Sequence, residues 1–195
     1  MANVPINSEK GGFVSLKEQK LTTKRIFTGQ ILNLDLETVR LPNGATAERE
    51  VVHHHGAVAV LAVIADKLLL VRQWREPMQQ ITLEIPAGKI DPGKQDLQME
   101  ALRELNEETG YQVQKLTKVA GFYSTPGFSD EYLTIFQATG IKPAQKRLAL
   151  DSDEFVEIEL LTFAQVQEQI QQGIICDAKT LLAIFIWQQI RGENN

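Results

Sequence analysis

Three glutamates and an arginine lie close together in the stretch RELNEETGY, residues 103–111. On a helix that turns by about 100° per residue, these four charged side chains project from one side. Glu104 and Glu108 repel each other as like charges four residues apart. The carboxyl end of the helix, marked by Gly110, also disfavours negative charge nearby. The pattern therefore predicts that something positive offsets these carboxylates.

Three interpretations of this acidic helix face are open. It could be a solvated surface whose charges are grouped by chance. It could hold a divalent cation, because Mg²⁺ and Mn²⁺ prefer carboxylate oxygens. It could also form salt bridges with a basic partner. The preceding loop PAGKIDPG, residues 86–93, favours an ion or a phosphate, because its two prolines and two glycines bend the backbone tightly.

Hydrophobic periodicity predicts the elements that must position this helix. The helix carries an apolar stripe of Leu97, Ala101, Leu102 and Leu105, and it ends before Gly110. The chain is expected to reach it through a loop at residues 81–93. Strands are predicted at residues 25–32, 34–41, 47–54, 58–65, 67–74, 116–123, 132–138 and 154–160. Two further helices are predicted at residues 162–172 and 177–191.

Composition bounds the class of protein. The chain has 195 residues, 43% hydrophobic and 23% charged, which suits one compact domain with or without a small appendage. A net charge of -5 argues against a general affinity for nucleic acid. A single cysteine, Cys176, excludes an internal disulfide, and no apolar run is long enough to cross a membrane. With no recognisable signal peptide at the N-terminus, we expect a soluble, cytoplasmic protein.

The stretch from Gly88 to Tyr111 resembles the Nudix box, G-x5-E-x7-R-E-U-x-E-E-x-G-U, in which U is a bulky aliphatic or aromatic residue. Its second half matches completely from Arg103 onwards. Its first half departs, because Gly88 precedes Arg103 by fifteen residues instead of fourteen and Lys94 stands where glutamate is expected. One extra residue near Lys94 and Gln95 is expected to alter the loop while the metal site survives.

A downstream proline extends the resemblance to the ADP-ribose pyrophosphatase branch of that family. Pro126 follows Gly110 by sixteen residues within GFYSTPGFSDE, and LEIPAGKIDPG and VRQWR add to the similarity, which covers roughly residues 45–160. The resemblance implies an α/β Nudix fold, a mixed β-sheet sandwiched between helices, with an N-terminal β subdomain. It also implies a homodimer formed through that subdomain. The expected parts are a flexible tail at 1–14, the subdomain at 15–50 and the hydrolase domain at 51–195.

The resemblance also assigns roles to individual residues. Glu104 and Glu108 correspond to the main metal ligands, which Glu107 and the Ala87 carbonyl would complete around Mg²⁺ or Mn²⁺. Arg103 would orient the carboxylates.

A second acidic segment, LDSDEFVE at residues 150–157, matches the loop that supplies a late carboxylate in this branch. Glu154 fits that position best, as a metal ligand or as the general base. Asp151 and Asp153 are close alternatives, and Glu107 is the next candidate for the base.

Substrate contacts are expected from outside the box. Arg49 and Arg75 flank predicted strands and would by default be surface arginines. With a nucleoside diphosphate sugar as the substrate they become phosphate contacts. Glu131 resembles the substrate-side acid of the branch, and Phe27 is the N-terminal aromatic that could stack on adenine.

Several other residues are expected to be structural. The core is the default place for Phe27, Trp74 and Tyr123, and for Cys176. His53, His54 and His55 look like a metal tract, but consecutive side chains on a strand alternate faces and cannot all reach one ion.

The implied reaction is hydrolysis of ADP-ribose to AMP and ribose 5-phosphate. Another nucleoside diphosphate sugar is the alternative substrate, since a fold does not fix its substrate. The alternative from another class is a Nudix protein that senses ADP-ribose or NAD derivatives without cutting them. The complete second half of the box favours the enzyme, as does the lack of a basic recognition helix after Leu160.

Overall fold

The computed structural model describes residues 15–91, 93, 96–150, 152 and 154–193. The expected tail at residues 1–14 lies outside the described residues. So do Lys94 and Gln95, next to the extra residue of the box, and Asp151 and Asp153, the alternatives to Glu154. The backbone divides into two compact units, Met1–Val52 and His53–Asn195. The roles expected of these parts stay predictions.

The first unit is built on a three-stranded sheet in the order β1-β2-β3. Its strands are β1 (Gln19–Thr28), β2 (Leu32–Arg40) and β3 (Thr46–His54). The predicted strand at residues 25–32 was wrong at its end, because the chain turns there and the Gly29 N–H donates to the Leu32 carbonyl at 2.9 Å. The second turn lies where LPNGA predicts it, with a bond from the Leu41 N–H to the Ala45 carbonyl.

The second unit contains nine strands and three α-helices among the described residues. The strands are β4 (Ala57–Ile64), β5 (Lys67–Arg75), β6 (Gln80–Glu84), β7 (Ala87–Lys89), β8 (Tyr111–Gln112), β9 (Lys115–Tyr123), β10 (Tyr132–Thr139), β11 (Lys142–Pro143) and β12 (Glu157–Thr162). The helices are α1 (Leu97–Thr109), α2 (Phe163–Gln171) and α3 (Ala178–Glu193).

Most of these strands form one mixed sheet in the order β12-β5-β4-β10-β9. Strands β4 and β10 run parallel, and the other neighbours are antiparallel. Strand β6 extends β5, and β7 pairs with β4. Residues 81–93 are therefore not simply a loop, because two short strands within them find partners in the central sheet.

Side-chain alternation along β4 explains why helices cover both faces of the sheet. Ala57, Ala59 and Leu61 point into a cluster with α2 and α3. Val58 and Val60 point the other way, into a cluster that includes the apolar residues of α1. The predicted mixed sheet between helices is confirmed. In the described part of the chain, no helix combines the length and apolar character needed to cross a membrane.

Both ends of α1 are fixed by local chemistry. The Asp96 side chain accepts hydrogen bonds from the Gln98 and Met99 N–H groups at 3.0 and 3.1 Å, so it caps the first turn. Gly110 adopts a left-handed conformation with φ of 70° and donates to the Asn106 carbonyl at 2.7 Å. The predicted end of the helix at this glycine is thus confirmed.

Candidate active site

Two carboxylates of α1 are buried at its contact with the sheet. Glu104 and Glu108 are only 7% and 4% exposed. They lie beside β7, where the Ala87 N–H donates to Glu108 Oε2 at 3.0 Å. Gly88 permits this approach, because a Cβ built on it would overlap the Glu104 carboxylate. The fold therefore brings Ala87 together with the two glutamates, as the resemblance implies.

The protonation of this pair reflects its surroundings. Burial raises the pKa of Glu104 to about 7, although the Arg103 guanidinium opposes the shift. Burial also raises the pKa of Glu108 to about 8, and the negative charge of Glu104 adds to the effect. Two carboxylates that resist ionisation near neutral pH are positioned to gain from a cation.

Arg103 supplies part of the positive charge that the helix requires. Its Nη1 donates to Glu107 Oε2 and its Nη2 to Glu104 Oε1, each at 2.6 Å. Its Nε and Nη2 also contact Glu100 Oε2 at 3.3 and 3.1 Å. One guanidinium thus orients three carboxylates, of which Glu100 was not anticipated. The sequence signal for it was an acid three residues, about one helical turn, before Arg103.

Glu154 lies half-buried just before β12. The pKa values of Glu104 and Glu108 are raised mainly by the burial of these two groups. The negative charge of Glu154 raises both pKa values a little further. The Glu154 carboxylate therefore lies within electrostatic reach of the two helix carboxylates.

A second charged cluster adjoins this pair. Glu84 is almost fully buried and binds Arg75 through two hydrogen bonds, with Nε to Oε1 at 2.7 Å. Lys179 of α3 binds the same carboxylate. The hydrogen bond to Glu84 raises the pKa of Arg75, and burial lowers it. The negative charges of Glu84 and Glu108 raise this pKa further. Arg75 therefore lies within electrostatic reach of the helix carboxylates, although it is held by Glu84.

The sequence reasoning missed Glu84 and Lys179. The signal for Glu84 was a lone acid between the apolar residues of LEIP, where an ionised group needs a partner. Nothing in the sequence pointed to Lys179, because its contact with Glu84 joins residues 95 positions apart.

The remaining candidates make other contacts, each within its own unit. Glu131 precedes β10, where its carboxylate binds the Ser124 hydroxyl and lies 3.5 Å from His54 Nδ1. Arg49 and Phe27 belong to the first unit. Arg49 pairs there with Glu18, and Phe27 is more than half exposed on β1. Their substrate contacts stay predictions.

Four of the residues expected in the core are on the surface. Phe27, Trp74 and Tyr123 are 55%, 52% and 56% exposed, and Cys176 is also exposed. The Trp74 indole donates to Glu76 Oε2, and Tyr123 makes an edge contact with Tyr132. Local partners at the edges of the sheet therefore satisfy these aromatic groups without burial.

The donor set fits a divalent cation. The hard carboxylate oxygens of Glu104 and Glu108 lie beside β7, and Gly88 leaves room for the Glu104 carboxylate. Burial raises the pKa of both groups, so a positive charge nearby would stabilise their ionised forms. Glu104 and Glu108 would hold the ion, with Glu107, Glu154 and the Ala87 carbonyl as further oxygen donors.

Comparison with known proteins bears on the family of the chain. A model of the NUDIX domain matches residues 53–181. An ADP-ribose pyrophosphatase of Bacillus subtilis (strain 168) is 43% identical over 87% of this chain and 92% of its own. A methanol dehydrogenase activator of Bacillus methanolicus is 40% identical over 86% and 91%. The crystal structure of an ADP compounds hydrolase matches with a TM-score of 0.79 over 91% of this chain and 96% of its own. At 21% identity that likeness shows the fold alone.

Proposed function

The chain belongs to the NUDIX family, and from this premise we propose that it hydrolyses ADP-ribose to AMP and ribose 5-phosphate. The observation that carries the proposal is the buried pair Glu104 and Glu108 beside Gly88, because it gives a pyrophosphate its cation site. The 43% identical ADP-ribose pyrophosphatase supports the choice of substrate.

The residues divide the work of the reaction. Water attacks one phosphorus, the bond from that phosphorus to the bridging oxygen breaks, and Glu154 accepts the proton that the water loses. Mg²⁺, or Mn²⁺ in its place, supplies charge neutralisation and a lower pKa for water when bound. Arg103 orients Glu104 and Glu107, and Arg75 donates to a phosphate oxygen.

The first unit is proposed to complete a cytoplasmic homodimer. All ten residues of β1 are exposed in the single chain, including the apolar Leu21, Ile26 and Phe27. An exposed strand with apolar side chains favours pairing with a second copy. Phe27 would then be available to adenine and Arg49 to a phosphate.

An assay of the purified protein tests the reaction. ADP-ribose, ADP-glucose, ADP-mannose, NAD and a flavin dinucleotide are incubated with Mg²⁺, with Mn²⁺ or with a chelator, and the products are separated by chromatography. We expect AMP and ribose 5-phosphate, formed only with metal and with the highest kcat/KM for ADP-ribose. A faster reaction with another compound would reassign the substrate. Binding of ADP-ribose without cleavage would instead indicate a sensor.

The general base is tested by Glu154→Gln. Because the loss of a base affects the chemical step more than substrate binding, we expect kcat to fall by about 10²- to 10⁴-fold with little change in KM. Asp151→Asn and Asp153→Asn are the matched controls and should have smaller effects. A crippled Asp153→Asn beside an active Glu154→Gln would move the base by one residue. Full activity of all three variants would make Glu107 the next candidate.

A further inference from the structure

Residues 144–148 attach to the last turn of α1. The Ala144 N–H donates to the Gly110 carbonyl at 2.8 Å, and the Leu148 N–H donates to Asn106 Oδ1 at 2.7 Å. These two bonds, one to a main-chain carbonyl and one to a side-chain amide, place the segment alongside the turn that carries Glu107 and Glu108.

Arg147 makes the charged contacts of this attachment. Its Nη2 donates to the Glu108 carbonyl at 2.8 Å, and its Nε donates to the Glu107 carbonyl at 3.2 Å. Carbonyl groups in the last turn of a helix have no intrahelical donor and carry the negative end of the helix dipole. A guanidinium satisfies both requirements at once. Gly110 leaves room for it, because a Cβ added at this position would crowd Arg147 Cδ at 3.3 Å.

The attachment also fixes the start of the loop that leads to Glu154. Glu154 follows Arg147 by only seven residues. Beyond it, β12 is held by its pairing with β5 from Glu157 onwards. The chain that carries the acid is thus fixed to the metal-binding helix at one end and to the central sheet at the other. A short chain fixed at both ends has few positions in which to place its carboxylate.

We propose that Arg147 is a positioning residue, which holds the start of the Glu154 loop on α1 so that this carboxylate reaches the reacting water. The inference rests on the proposed role of Glu154. Arg147 itself binds main-chain carbonyls, so it acts on the loop without touching the substrate.

A double-mutant cycle tests the proposal through kcat. In the wild-type background, Arg147→Ala should lower kcat by about tenfold or more with little change in KM, since small misplacements of a reacting group are costly. In the Glu154→Gln background the same change should have almost no effect, because no base remains to be positioned. Arg147→Lys should recover part of the activity. Lys142→Ala removes one exposed positive charge of the same unit and should behave like its parent.

Two measurements without turnover separate positioning from general damage. The amides of Ala144 and Leu148 should exchange hydrogen faster in Arg147→Ala than in Lys142→Ala. The affinity for Mn²⁺ should be no weaker than that of Glu154→Gln, because the ligands on α1 are intact and only the contribution of Glu154 can be lost.

The outcomes that would contradict the proposal are distinct. Equal losses of kcat in both backgrounds, no loss at all, or Mn²⁺ binding weaker than that of Glu154→Gln would overturn the role of Arg147. Wild-type activity of the single Glu154→Gln variant would show that Glu154 is not the general base, and Arg147 would then have no catalytic group to position. That single variant distinguishes failure of the proposed base from failure of Arg147 alone.

Discussion

Burial makes the ionised form of Glu108 unfavourable in the metal-free protein. Its raised pKa of about 8 means that the folded state binds a proton which the unfolded state releases near pH 4.5. The contribution of Glu108 to the free energy of unfolding is therefore largest below about pH 4.5, and it is lost as the pH rises towards 8. Above that pH, only a cation can offset the buried charge.

Glu108→Gln should separate stability from activity. Glutamine can still accept the Ala87 N–H but carries no charge. The metal-free variant should therefore be as stable as wild type at pH 4.5 and more stable at pH 8, in denaturant titrations. Its turnover should fall by more than about 100-fold. Losing a residue that only hydrogen-bonds a metal ligand typically costs about 10- to 100-fold, and Glu108 is proposed to bind the metal itself. Mg²⁺ should raise the Tm of wild type but not of the variant. Activity near wild type at saturating substrate and Mg²⁺ would remove Glu108 from the metal site.

Gly88→Ala should weaken the metal site without unfolding the protein. Gly88 does not adopt a positive φ, so its backbone accepts alanine, but the new Cβ would displace the Glu104 carboxylate. We expect an affinity for Mn²⁺ at least about tenfold lower, the scale of a disturbed ligand, and a Tm within a few degrees of wild type. Gly192→Ala is the matched control, because open space surrounds that glycine. Unchanged Mn²⁺ affinity in Gly88→Ala would show that Glu104 does not need its observed position.

At the scale of elements, Glu84 joins β5, β6 and α3. Its carboxylate binds Arg75 and Lys179, and next to it the Ile85 N–H donates to Thr180 Oγ1 at 3.0 Å. Burial alone would raise the pKa of Glu84, but its two cationic partners lower it to about 2. The stabilisation from this carboxylate is therefore present above about pH 4.5 and is lost as the pH falls towards 2.

Glu84→Gln should destabilise the fold in a pH-dependent way. Because the change leaves two cations without their buried partner, we expect a loss of roughly 3–5 kcal/mol at pH 7. The gap between variant and wild type should narrow at pH 3. Glu159→Gln serves as the control, since Glu159 pairs with Arg72 in a more exposed position and should matter little. A gap that stays constant between pH 7 and pH 3 would contradict the role given to the Glu84 charge.

The elements that sequence predicted are those whose signal is local. A few consecutive residues are enough to recognise the apolar runs of β4 and β5, and the same is true of the glycine that ends α1. Strands β6 and β7 were missed because they are short and flank Pro86, and their pairing with β5 and β4 is a tertiary contact. The same reason hid the attachment of Arg147 to α1, which joins residues about forty positions apart. The glutamates were recognisable because their crowding is unfavourable without a function.

At the scale of the whole molecule, the proposed assembly depends on the first unit. In the part of this unit that the structure describes, the sheet consists of β1, β2 and β3, so each strand depends on its neighbours for main-chain hydrogen bonds. Three strands need a covered hydrophobic face to be stable by themselves, and all ten residues of β1 are exposed. A homodimer would cover the apolar side chains of Leu21 and Ile26 on the exposed strand β1.

Deleting residues 1–45 removes β1 and β2 and leaves β3 as an unpaired strand. Because an unpaired edge recruits other chains, we expect the truncated protein to aggregate, or to remain monomeric and inactive. Light scattering after size-exclusion chromatography measures the assembly, and release of AMP from ADP-ribose measures the activity. Deleting residues 1–14 is the matched control, since it keeps all three strands and should leave both properties as in the full chain. A soluble and fully active protein after the longer deletion would show that the first unit supplies neither dimer contacts nor the stacking aromatic Phe27.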